Sequence, residues 1–209
     1  MWTKKSVANV FKEIPEEKLE ACNLTLLGKL HSRPNVNFQA FLTTMKKAWK
    51  TDNVVVDQPQ QGLFTFTFRS ESDKKRVLEG SPWSFSSNLL ILVQLNPKIP
   101  IHRRVFTHCA FWVQVHGMPV ARITKNSLQE VASKIGKVIE IKMEAKEGGL
   151  CKVGKARVLL DLAQPLTSGI MVNFEDDQYW VDFKYERLPH FCYSCGKMGH
   201  FTTNCEEIP

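Results

Sequence analysis

No hydrophobic run in this 209-residue chain approaches the ~18 residues that a membrane-spanning helix needs. The N-terminal stretch MWTKKSVANVFKEIPEEKLE carries charges throughout and lacks the apolar segment of a secretory signal. Without an export signal, a reducing compartment is expected, and the six cysteines read as thiols or metal ligands, not disulfides. The chain also has no GxSxG, no phosphate-binding loop and no Asp/Glu/His trio, so neither an enzyme nor a small-molecule substrate is predicted. No strong basic import run is present. Its absence leaves localisation open on that count; the expectation is intracellular, with the nucleus favoured over the cytoplasm.

What is present is an ordinary globular composition, 43% hydrophobic and 23% charged, with 13 Phe and five Trp to fill a core. The net charge of +7 points to an anionic partner, most often a nucleic acid. Cys22, Cys109 and Cys151 sit among apolar or basic neighbours and read as ordinary thiols.

After a charged lead-in (1–20), the pattern becomes compact. CNLTLLGKL (22–30) reads as a strand. NFQAFLTTMKKAWK reads as a helix, with Phe38, Phe41, Leu42, Met45 and Trp49 at three- and four-residue spacing. NVVVDQ is a strand, PQQG a turn, and GLFTFTFRS a strand with Phe64, Phe66 and Phe68 on one face and Thr65 and Thr67 on the other. ESDKKRVLEG reads as a helix capped by Ser70 or Ser72. NLLILVQL closes the unit as a buried strand. The order β-α-β-β-α-β is the ferredoxin-like arrangement, which is also the layout of RNA-recognition motifs.

The residues that read RNA in such motifs are mostly missing. Laid over the third-strand pattern, Gln61-Gly62-Leu63-Phe64-Thr65-Phe66-Thr67-Phe68 puts Leu63 and Thr65 where bases would stack. The first strand offers Leu24, Leu26 and Leu27 and no aromatic ring. The three phenylalanines are core, and base stacking on this sheet is not expected. Trp83, in PWSF, is expected to seal one end of that core.

The linker NPKIPIHRRV marks a boundary, and beyond it a second α+β unit follows. It comprises the strand FWVQVHGMP, the helix TKNSLQEVASKIG with Gly136 as its C-cap, the strand VIEIKME, the turn AKEGG, the strand KARVLLDL, and a β-pair around the acidic turn EDDQ. It looks like a copy of the first unit whose second helix is replaced by a hairpin. His116 reads as a hydrogen-bonded structural residue. The expected division is a lead-in at 1–20, a ferredoxin-like domain at 21–97, a basic linker at 98–104, a second α+β domain at 105–189 and a small terminal module at 190–206.

That terminal module holds three of the six cysteines within FCYSCGKMGHFTTNC. Cys192, Cys195, His200 and Cys205 are spaced C-x2-C-x4-H-x4-C, the four N/S ligands that a structural zinc ion takes in a tetrahedron. Four protein ligands leave no open position for a reactive water. Gly196 and Gly199 let the backbone turn around the ion. The stretch is too short for a core of its own, so metal binding supplies its folding free energy.

This segment resembles the CCHC zinc knuckle of retroviral nucleocapsid proteins and retroelement-encoded RNA-binding proteins. The resemblance implies that Tyr193 and Phe201 form a cleft for an unpaired base and that Lys197 contacts phosphate, with Met198 widening the apolar surface. Two aromatic faces and a cation suit single-stranded bases on physical grounds as well. The motifs GKL, PWSF, FWVQVHGMP and ERLPHFCYSCGKMGH together resemble a plant family in which a domain of unknown function precedes a CCHC knuckle, abundant in proteins derived from LINE-type, non-LTR retrotransposons. That resemblance implies a nucleic-acid-binding protein of retroelement origin.

Lys142, Lys146, Lys152, Lys155 and Arg157 around the 144–154 hairpin, with Arg103 and Arg104 in the linker, form a candidate phosphate track leading to the knuckle. The expectation is a zinc-dependent, non-catalytic binder of single-stranded RNA or DNA. The alternative is a protein-interaction module that self-associates or meets a reverse-transcriptase partner, with the zinc loop as a staple.

Overall fold

The computed structural model describes residues 13–32, 35–145, 151–175 and 177–206. The expectations for Lys146 and Asp176, and for the side chains of Cys151 and Lys152, lie outside the described residues. Helix α1 spans Glu16–Asn23, so the first strand starts later than expected: Cys22 belongs to the helix, and β1 is Thr25–Leu30. Then come α2 (Phe38–Trp49), β2 (Val54–Gln60), β3 (Leu63–Phe68), α3 (Glu71–Glu79), a short strand β4 (Trp83–Phe85) and β5 (Asn88–Gln94). The antiparallel sheet runs β2-β3-β1-β5-β4. The four long strands have the ferredoxin-like order, and β4 adds an edge strand that the sequence reading missed. The PQQG turn is also tighter than expected, because β2 runs on through Pro59 across a bulge and only Gln61 and Gly62 turn.

Local chemistry explains the helices. Asn37 caps α2 by accepting from the Ala40 N–H, and the Ser70 hydroxyl accepts from Asp73 N–H at the start of α3. The apolar stripe of α2, Phe41, Met45 and Trp49, is buried against the phenylalanine face of β3. Phe41 stacks on Phe64 at 4.2 Å, and Trp49 meets Phe66 edge-on at 4.9 Å. Such pairs add about 0.5–1.5 kcal/mol each beyond their burial. Trp83 closes one end of this core, 6.2 Å from Trp49, with its indole N–H donating to the Val77 carbonyl.

The second unit repeats the plan. It comprises β6 (His108–His116), α4 (Lys125–Ser133), β7 (Lys137–Ala145), β8 (Cys151–Asp161), β9 (Gly169–Phe174) and β10 (Asp177–Tyr185). The sheet order is β7-β8-β6-β10-β9, with β9 at the edge where the first unit has β4, and a strand in place of a second helix. Cys109, Phe111, Val113 and Val115 alternate inward onto Leu128, Val131 and Ala132 of α4. Thr124 caps α4, but its C-cap is Lys134, not Gly136. Gly136 serves a close approach: a Cβ there would lie 2.5 Å from the Leu159 carbonyl oxygen.

The two sheets do not stand apart. Lys29 pairs in register with both Leu63 and Ile91, which places these residues with Leu27 and Leu89 on the sheet face away from the helices. That face is open to RNA in RNA-recognition motifs. Here Leu27, Leu63, Leu89 and Ile91 are all buried. Leu89 and Ile91 join one continuous cluster with Cys109, Phe111, Leu162 and Met198, against which Phe106, just past the linker, packs. Of the two stacking positions, Leu63 is thus non-aromatic and covered, and Thr65 is non-aromatic and half-buried.

Candidate functional site

The zinc-ligand candidates converge. Cys192, Cys195, His200 and Cys205 offer ligand atoms that all lie within 4.8 Å of one another, and Cys195 Sγ is 3.3 Å from His200 Nε2. Tetrahedral zinc with bonds of about 2.0–2.3 Å separates its ligand atoms by roughly 3.5–3.8 Å, so these residues fit one ion with little movement. The backbone builds the site from a hairpin. Phe191 bridges Met198, Cys192 N–H donates to the Lys197 carbonyl at 2.8 Å, and Gly196 N–H donates to the Cys192 carbonyl at 2.8 Å. Gly196 (φ 74°) takes a left-handed turn inside this hairpin, and Gly199 (φ 107°) takes one just after it.

The electrostatics favour a thiolate. Burial pushes the Cys192 thiol up, but backbone N–H groups of Cys195 and Ser194, with the Cys205 and Thr202 side chains, outweigh it and bring Cys192 down to about 6. A thiolate is the form that ligates metal. Cys109, by contrast, is an apolar core thiol, raised by burial to about 12.

The knuckle is docked, not pendant. Leu166 N–H donates to the Gly196 carbonyl, and His190 N–H donates to the Ser87 carbonyl at 3.3 Å. Met198 is only 4% exposed and sits in the core of the second unit. It therefore does not widen the exposed apolar surface, as the sequence reading had it. It pins the loop down.

Tyr193 and Phe201 face outward, 84% and 38% exposed. They line one open cleft of about 410 Å³ together with Leu188, Pro189, His190 and Phe191. Phe191 backs Tyr193 at a ring separation of 4.5 Å, and His190 backs Phe201 at 4.0 Å. His190 is a residue that sequence reasoning passed over. The LPHFCYSC context places a ring two positions before the first ligand, and that was the available signal. Lys197 lies half-buried on the same loop.

The candidate phosphate track does not assemble as expected. Arg157 is 8% exposed and donates to the Leu78 carbonyl of the first unit at 3.3 Å. Arg104 donates to the Gln94 carbonyl at 2.7 Å, and its Nε is buried. Both arginines are turned inward by the packing of the two units, which no sequence pattern announces. Arg103 stays exposed in a single helical turn. Lys142 and Lys155 lie over the Trp112 ring, 4.6 and 5.6 Å from its centroid, and pair with Glu140 and Glu186. His116 is hydrogen-bonded to Gln114.

Two family models match the chain, in separate segments. A domain of unknown function (DUF4283) matches residues 18–102 and a zinc knuckle matches 160–207. An uncharacterized protein of Arabidopsis thaliana is 22% identical over 134 residues, 64% of this chain, and the chain spans 42% of that relative's length. A DUF4283 segment followed by a zinc knuckle, with a relative in Arabidopsis, is a plant-type domain architecture. Among solved structures, the paired RNA-recognition domains of Sex-lethal from Drosophila melanogaster match at a TM-score of 0.29 and 16% identity, over 65% of this chain and 85% of theirs. The first two such domains of the yeast poly(U) binding protein match at 0.27 and 9%, over 64% and 81%. Superpositions at that level carry nothing over to this chain, and its fold stands on its own strand order.

Proposed function

We propose that the chain is a zinc-dependent, non-catalytic binder of single-stranded nucleic acid, RNA foremost, of retroelement origin. One observation carries the reading. A four-ligand metal loop, locked to the body of the protein, holds Tyr193 and Phe201 at the mouth of an open cleft, with one face of the Tyr193 ring backed by Phe191 and most of the ring exposed. An unstacked base gains about 1–3 kcal/mol on each such aromatic partner. The net charge of +7 supplies the long-range attraction. The retroelement origin rests on the resemblance of the knuckle and its upstream motifs. The closed ligand set supports a structural role for the metal, because no position remains for substrate water.

Titrating zinc-loaded protein with fluorescent single-stranded RNA tests the reading. The Tyr193→Ala/Phe201→Ala variant should bind more weakly while retaining one zinc per chain. Equal affinity in the variant and the parent would remove the cleft from the account.

A second reading has one observation in its favour. Met171 and Trp180 face each other in register on the edge pair β9–β10 and are 54% and 49% exposed, an apolar pair suited to self-association. Sedimentation of the parent against Trp180→Ser separates a dimer from a monomer, and the nucleic-acid reading holds in either state.

A further inference from the structure

The rings that close the base cleft have a second side. His190 and Phe201 also wall a separate crevice of about 210 Å³ between the knuckle and the first unit. Opposite them stand Ser32 and the Ser86–Ser87 turn, and Asn204 closes the knuckle side. The lining offers hydroxyl, amide and imidazole groups, and among the described residues it holds no lysine, arginine or carboxylate. A phosphate finds no cation here, and the hydrogen-bonding inventory suits a neutral group bearing hydroxyls.

The turn between β4 and β5 adds a second observation. Ser86 (φ 48°) and Ser87 (φ 60°) are both left-handed, as in the two-residue hairpin turn that Asn-Gly adopts without strain. Serine carries strain at both positions, and in exchange two hydroxyl-bearing residues stand at the crevice edge. Left-handed residues other than glycine concentrate at ligand sites. The turn is also held in place from both sides, by the His190 N–H on the Ser87 carbonyl and by the Ser32 N–H on Asn88 Oδ1 at 3.1 Å. The turn is therefore anchored at the crevice edge.

We propose that this crevice takes the ribose of the nucleotide next to the stacked base, and that Ser86, Ser87 and Asn204 hydrogen-bond its hydroxyls and so select RNA over single-stranded DNA. The inference rests on the nucleic-acid reading above and extends it to the first unit. A base lodged on one side of Phe201 leaves its chain neighbour's sugar on the other. The 2′-hydroxyl, both donor and acceptor, is the group by which a protein distinguishes the two polymers.

The test uses zinc-loaded full-length protein with RNA and DNA oligonucleotides of matched sequence, and with the 2′-O-methyl form of the same RNA. The parent should bind RNA more tightly than DNA or the methylated RNA. In Ser86→Gly/Ser87→Gly, glycine relaxes the left-handed turn, so folding is retained. Its RNA affinity should fall about three- to tenfold per lost hydrogen bond, with DNA affinity unchanged; Asn204→Ala should act the same way. The inference is overturned if the parent does not discriminate against 2′-O-methyl RNA, or if the RNA-to-DNA ratio survives the serine changes. In those cases the base cleft still stands, provided Tyr193→Ala/Phe201→Ala weakens both polymers. A parent that retains neither polymer overturns both readings.

Discussion

The backbone N–H of Leu166 donates to the carbonyl oxygen of Gly196 at 2.9 Å, which ties the metal loop to the second unit. Met198 on the same loop is part of that unit's core. Metal loss should therefore be felt beyond the knuckle. Chelation is expected to lower the melting temperature of the whole chain and to increase binding of a hydrophobic dye, both restored by zinc. Met198→Ala should cost about 2–5 kcal/mol of stability, as for other buried methionines. Differential scanning calorimetry with and without chelator checks both. A melting curve indifferent to zinc would mean that the loop is not tied to the core.

Aromatic removal at the cleft should act on binding far more than on stability. Tyr193 is 84% exposed, so Tyr193→Ala should cost little in thermal melts, no more than its ring contact with Phe191. Its loss of stacking should weaken RNA binding by about 1–3 kcal/mol. Phe201→Ala should cost binding and a little stability, because Phe201 packs on His190. Fluorescence anisotropy alongside melts separates the two effects.

The inward arginines give a contrasting pair. Arg157→Ala should destabilise the protein without altering the salt dependence of binding, because its guanidinium bonds the neighbouring unit. Arg103→Ala, at an exposed position, should leave stability intact and make the slope of log K against log salt shallower by about 0.7, the share of one phosphate contact on a single strand. Binding measured at several salt concentrations reads both.

Gly199 has φ 107°, and a Cβ there would lie 3.0 Å from His31 and Ser32 of the first unit. Gly199→Ala should therefore strain the loop by about 1–3 kcal/mol and loosen its seat, lowering zinc affinity in a competition titration with a colorimetric chelator. Ser194→Ala, at an exposed loop position outside the metal ligands, is the control that should bind zinc normally.

Alkaline pH should unfold the second unit in a defined window. Burial raises Cys109 from 9.0 and Tyr185 from 10.0, each to about 12. A folded pKa above the unfolded one means that the unfolded chain loses its proton first. The stability of these neutral groups is complete below pH 9 and drains away as pH climbs to about 12. Urea midpoints between pH 8 and 12 should fall, and Cys109→Ala should flatten the early part of that fall.

Much of this was legible beforehand, and the reasons are local. The 3.6-residue spacing of Phe41, Met45 and Trp49 and the alternation of Phe64, Phe66 and Phe68 declare which faces are buried. The C-x2-C-x4-H-x4-C spacing declares the metal loop. Strand β4 was missed because WSF is three residues long, too short for any period to show. The inward turn of Arg104 and Arg157, the burial of Met198 and the crevice at Ser86–Ser87 all depend on how two units dock, and docking leaves no periodic trace in a sequence. His190 lay in plain view beside the first ligand, but its ring gains meaning only once Phe201 folds back against it.

The covered sheet of the first unit also bears on how this gene segment can travel. Leu27, Leu63, Leu89 and Ile91 form an adhesive panel kept from water, and two of them, Leu89 and Ile91, are covered by the core of the neighbouring unit. Exon shuffling or a truncated transcript that carried the front half away by itself would bare that panel, and the product would clump unless a substitute lid arrived with it.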